Sequence, residues 1–185
     1  MENVKARQAI ADGLLAGAVG GVLSGLPSTV AAARGHSGLL TATRAAGSVL
    51  GRPTVPRGVA AHAVLSVGWG TVLSVLWPGP TLRAAASAHR TPSGGPPAAA
   101  RRATAGAVAR AAGLGAVAGV AIAAVDLGVV GRRLPAVRAL PAMPQWMDHV
   151  AYGAVAGTVL AFRSAHPARP SGSVPSPRPG PSIRR

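Results

Sequence analysis

Apolar positions in this chain gather into four runs separated by arginine and proline. Residues 9–33 read AIADGLLAGAVGGVLSGLPSTVAAA and carry one acid, Asp12, and no base. The second run, 58–77, lies between Arg57 and Pro78. The third, 111–131, lies between Arg110 and the Arg132–Arg133 pair, and the fourth, 146–162, stops at Arg163. At about 1.5 Å of rise per residue, roughly 20 residues cross a bilayer core. The pattern therefore predicts an all-α fold, a four-helix transmembrane bundle with spans at about 9–31, 58–77, 111–131 and 146–162 within a domain of residues 1–162. Pro27 is expected to kink or end the first helix. The fourth span is short and is expected to stand nearly upright. Residues 34–57 hold four arginines and the mildly apolar piece SGLLTATRAAGSVLG, which is too interrupted to span and suits an amphipathic helix at the interface. Residues 78–104 read as a flexible Pro/Arg-rich loop and 163–185 as a disordered basic tail.

Composition agrees with this division. Of 185 residues 49% are apolar and only 12% charged, with a mean hydropathy of +0.36, whereas a soluble domain carries about 25% charged residues. The chain has no cysteine, which excludes a disulfide scaffold, a thiolate metal centre and a cysteine nucleophile. Nineteen basic against four acidic residues give a net charge of +15. These bases form no single dense patch and sit between the apolar runs, where arginines meet lipid phosphates. Only three Trp, one Tyr and one Phe are available for stacking on bases, so no nucleic acid is expected as a partner. The expected partner is the lipid bilayer. Trp77 and Trp146 fall at span ends, where indoles favour the interface.

The basic residues also assign the sides. With four spans, one side holds Lys5, Arg7, the loop arginines and the tail, and the other the seven arginines at 34–57 and 132–138. The side richer in bases is the cytoplasmic one. The expected localisation is the cell (plasma) membrane, multi-pass, with N- and C-termini cytoplasmic. A cleaved signal peptide competes for the first run, since Lys5 and Arg7 precede it and Ala31-Ala32-Ala33 resembles a cleavage site. The length of the run, Asp12 within it and the three spans that follow weigh against cleavage.

Each run carries small residues four apart, which share a helix face. Span one has Gly13, Gly17, Gly21 and Gly25, with a second row of Asp12, Ala16, Gly20, Ser24 and Ser28 beside it. Span two has His62, Ser66, Gly70 and Ser74; span three Gly115, Gly119 and Ala123; span four His149, Gly153 and Gly157. Such rows let helices approach closely where lipid removes the hydrophobic drive for association. They also leave room for homo-oligomers. Residues 62–73 align without gaps on 149–160, and GAVGGV at 17–22 on GAVAGV at 115–120. This order suggests a duplicated helical hairpin.

Ionisable groups inside spans are costly and mark candidate sites. His62 opens span two, Asp126 ends span three, and Asp148 and His149 open span four, all towards the outer side. Together they form a candidate polar cluster. Three roles suit it: structural hydrogen bonding between helices, proton or solute handling, and a divalent metal. Asp12 is the exception, near the cytoplasmic face. No nucleophile–base motif, phosphate loop, HExxH or dinucleotide fingerprint occurs. Neither an enzyme nor a cofactor is expected. The leading reading is an integral membrane protein with a structural, interaction or transport-associated role. The alternatives are a small proton- or solute-handling membrane protein and a basic secreted or soluble binding protein.

SGLPST (24–29), AAHAVLSVGWG (60–70), LGVVGRRLPAVRALP (127–141) and DHVAYGAVAG (148–157) resemble an uncharacterised group of small actinobacterial integral membrane proteins. The resemblance covers most of residues 10–162. It implies a multi-span membrane protein and assigns no activity. The chain is more faintly similar to YagU-type inner-membrane proteins, in which a His followed by a small residue also starts one span.

Overall fold

The computed structural model describes residues 2–35, 38–77 and 97–166. All elements among these residues are helical: α1 (Glu2–Ser24), α2 (Leu26–Arg34), α3 (Thr41–Ala46), α4 (Val55–Leu76), α5 (Pro97–Val125), α6 (Pro135–Arg138) and α7 (Ala142–Ala165). A 3-10 turn, Gly47–Leu50, follows α3. A π-helical segment, Asp126–Val130, and a 3-10 turn, Gly131–Arg133, continue α5.

The helices run past the expected span limits. Helix α5 starts at Pro97, so residues 97–104 are helical rather than loop, and α7 extends to Ala165, so the tail cannot begin at 163. The remainder of the expected loop and tail, 78–96 and 167–185, lies outside the described residues. The first run is two helices. The chain breaks at Gly25, two residues before Pro27, and restarts with the proline in the first turn of α2. A proline there removes no helical hydrogen bond, whereas inside a continuous helix it would clash with the preceding turn. Residues 41–50 form not one amphipathic helix but the short α3 and a 3-10 turn.

Three stretches, Asn3–Arg34, Val55–Leu76 and Ala105–Arg133, are long and apolar enough to cross a membrane. Their outward faces are bare hydrocarbon: Val22 is 81% exposed, Val117 70% and Val64 69%. Apolar faces of that extent need an apolar solvent. These are the features of a multi-pass membrane protein.

Helices α1 and α4 pack antiparallel, α5 and α7 likewise, and α1 and α7 join the two hairpins; α4 and α5 are the outer pair. The small-residue rows are the contact surfaces. A Cβ on Gly70 would run into the backbone of Gly13 and Gly17, and one on Gly17 into the Ser66 carbonyl. In the second hairpin a Cβ on Gly157 would meet Ala111 and Gly115, and one on Gly115 the Gly153 carbonyl. Gly21 faces Ser66, and Gly119 faces His149 and Val150. The aligned residues thus meet in the same register in both hairpins, as a duplicated hairpin requires. The second row of α1 faces α7: Ala16 is buried, Gly20 lies under the Tyr152 ring, and Asp12 accepts a 2.7 Å bond from Arg163 Nε. Gly25 is the exception among the packing glycines. Its added Cβ meets nothing within 4 Å, because it sits at the helix break and not on a packed face. Trp77 turns inward to Gly157 rather than out to the interface.

Replacing Gly153 by Val is expected to cost about 2 kcal/mol or more, since backbone cannot yield as a side chain does. Replacing Gly113 by Ala, where no atom lies within 4 Å, is expected to be neutral or to stabilise by up to about 1 kcal/mol. Denaturation midpoints in mixed detergent micelles measure both.

Candidate functional site

The hairpins leave a cavity of about 360 Å³ at the end of the bundle opposite the Asp12–Arg163 pair. Helices α4 and α5 form its sides, with Leu65 and Trp69 facing Ile122 and Asp126. Ser24, Ser66 and Tyr152 form its floor, where α1, α4 and α7 meet. Helices α3 and α6, which touch each other, lie across its outer end and contribute Thr43 and Val137. The α3 segment is held by close backbone contact. A Cβ on Gly58 would collide with the Thr43 carbonyl, and one on Gly47 would meet the Arg52 and Thr54 carbonyls. The interfacial segment of the sequence reading is thus a cover over the cavity.

His62, Asp126, Asp148 and His149 all line this cavity. They are brought to one level but not into one cluster. Only Asp126 and His149 touch, with His149 Nε2 3.4 Å from Asp126 Oδ2. The indole N–H of Trp69 donates to both oxygens of Asp126, at 3.2 and 3.1 Å. His149 Nδ1 lies 2.8 Å from the Gln145 carbonyl. A carbonyl only accepts, so Nδ1 carries the hydrogen. A bare Nε2 lone pair would then face a carboxylate oxygen and repel it. A proton therefore belongs between Nε2 and Oδ2, and the indole donor favours the arrangement of imidazolium against carboxylate. Asp126 also opens the π-helical segment, where the Gly131 N–H reaches the Asp126 carbonyl. Such bulges recur at functional sites.

The other two residues have separate partners. Asp148 accepts from the Ser28 backbone N–H at 2.9 Å and from the Ser28 hydroxyl in a shorter contact. Ser28 lies in the first turn of α2, whose amides lack helical acceptors, so a carboxylate from α7 caps a helix that has no side-chain cap of its own. His62 is exposed, and its Nε2 donates to the Gly21 carbonyl at 2.8 Å. Among the described residues no group of three His or acidic side chains stands where it could hold a metal ion.

Two cavity residues escape the sequence reading. Tyr152 is buried and its hydroxyl donates to the Ser66 carbonyl at 2.5 Å. Trp69 carried a usable signal: it stands well inside span two, away from the interface, where an indole N–H needs an acceptor. No family model, curated protein or solved structure matches the chain.

The Asp148 cap gives a direct expectation. Asp148→Ala costs about 1–2 kcal/mol and loosens α2, whereas Asp148→Asn, which still accepts, retains most of the cap. Amide hydrogen exchange at Ser28 and Thr29 reads the difference: faster exchange in Ala, near wild-type rates in Asn.

Proposed function

We propose that the chain is a four-span membrane protein, with both termini cytoplasmic, whose outer-leaflet cavity binds a small solute in a transport-associated role. The observation that carries this reading is the cavity itself. Four ionisable residues from three helices line one space of about 360 Å³, a size that takes a small organic molecule. The Asp126–His149 pair, with a proton between them, suits this wall to exchanging a proton for a bound solute. The resemblance to small actinobacterial membrane proteins points to the same setting.

A structural role is the second reading, and the Ser28–Asp148 contact favours it for that carboxylate. Asp126 has less of that character. Its imidazole contact is long at 3.4 Å, and its other partner is the indole of an outer helix.

The fourth crossing rests on α7 lying antiparallel beside α1 from Arg163–Asp12 to Asp148–Ser28. Reporter fusions after residues 34, 95, 140 and 185 are expected to alternate outside, inside, outside, inside. The same side for 140 and 185 would remove the fourth span and the proposal with it. Because the native chain lacks cysteine, single cysteines report access cleanly. Thr43→Cys is expected to react with a membrane-impermeant maleimide added from outside, and Ser74→Cys, at the opposite end, is expected not to.

A further inference from the structure

We infer that the cavity selects a small lipophilic cation, such as an aryl-substituted ammonium compound. The inference rests on the reading of the cavity as a solute site and adds the chemistry of the solute. Charge carries it. The chain has 19 basic and four acidic residues, yet the cavity is lined by two of those acids, Asp126 and Asp148, and by no Lys or Arg among the described residues. A binding space inside so basic a protein has been kept free of fixed positive charge. An anionic solute would meet two carboxylates there, and the one cation beside them, the His149 imidazolium, is already set against Asp126.

The walls suit the rest of such a molecule. Leu65, Ile122, Leu127 and Val137 offer apolar contact on several sides. Trp69 and Tyr152 bring the two aromatic rings, and an indole face is the strongest side-chain partner for a cation. Asp126 retains acceptor capacity. A carboxylate has about four lone-pair positions, and Asp126 receives one indole N–H and one long imidazole contact. Asp148 is held by Ser28 and contributes its charge at a distance. Helices α4 and α5 face each other across the cavity without packing closely, so an amphiphilic cation has a path between them from the bilayer.

The test uses the full chain in phosphatidylcholine nanodiscs, which carry no net lipid charge. Three probes of like shape are titrated: benzyltrimethylammonium, its uncharged carbon isostere neopentylbenzene, and the anion phenylmethanesulfonate. The readout is the indole N–H resonance of Trp69, assigned by its loss in Trp69→Phe. The expected result is a saturable shift with the cation, about tenfold or more tighter than with the isostere, and none with the anion. Asp126→Asn is expected to bring the cation's affinity down to that of the isostere. If Asp126→Asn does not fold, the three-probe comparison on the native chain still decides. Equal binding of cation and isostere overturns the charge selectivity and leaves the cavity as a solute site. Preferential binding of the anion overturns the inference in the same way. Failure of all three to bind overturns both the inference and the solute-site reading. Undiminished cation binding in folded Asp126→Asn removes Asp126 as the selecting group and overturns the inference as stated.

Discussion

The architecture depends on backbone meeting backbone at glycine. In lipid, side chains are as well solvated by hydrocarbon as by one another, so apolar burial gives little reason for helices to associate. Dispersion between closely approaching main chains replaces it, and only residues without a Cβ allow that approach. Gly17 against Gly70, and Gly115 against Gly157, are corresponding instances in the two hairpins. Each sets the depth of one helix against its partner. The level at which His62 and His149 stand, eight residues from Gly70 and Gly157 respectively, follows from those two contacts.

The cavity follows from the way the equivalent hairpins fail to repeat their outer contact. Helix α1 packs along α7, but α5 does not pack along α4 as a closed twofold arrangement would require. Extending the alignment without gaps pairs Gly20 with Ala118 and Tyr152 with Leu65. On one side an aromatic ring lies over a glycine and its hydroxyl reaches the Ser66 carbonyl. On the other, Leu65 lines the open space. The same extension pairs Ser28 with Asp126 and Asp148 with Ala61. One side therefore has a hydroxyl and a carboxylate that satisfy each other. The other has a carboxylate, Asp126, in place of the hydroxyl and an alanine in place of the carboxylate, and Trp69 and His149 supply the donors instead. The irregular turns fall at nearly matching places as well, the break at Gly25 and the π segment from Asp126. Different residues at a few corresponding positions of the two hairpins account for a packed side and a hollow side.

Much of this was legible in the residues. The all-helical fold, the antiparallel order and the packing rows follow from hydropathy and a spacing of four, because both record what each face touches. The common level of the four ionisable residues follows from the same register. Their partners did not follow. Asp148 bonds to a backbone amide 120 residues away, and His62 bonds to a carbonyl; main-chain groups have no signature in a sequence. Gly25 leaves its row for a related reason. Its spacing continues the row, but a helix break two residues before a proline turns it off that face. The cover formed by α3 leaves little trace in the sequence, because a short helix seated by backbone contact at Gly47 and Gly58 has too few residues for a periodic signal.

Helix α7 shows what hydropathy does and does not measure. It is absent from the stretches apolar enough to cross a membrane, and it carries four of the cavity's polar side chains, Gln145, Asp148, His149 and Tyr152. From Asp148 to Ala161 no residue of it is exposed. Helices α1 and α5 stand on either side of it, so its polar groups meet protein rather than lipid. A helix in that position is relieved of the need for an apolar surface, and polar residues there cost far less than on an outer helix. The outer helices contribute polar groups to the cavity as well, His62, Ser66 and Trp69 from α4 and Asp126 from the end of α5. The helix that falls short in hydropathy is one packed between two others, α1 and α5.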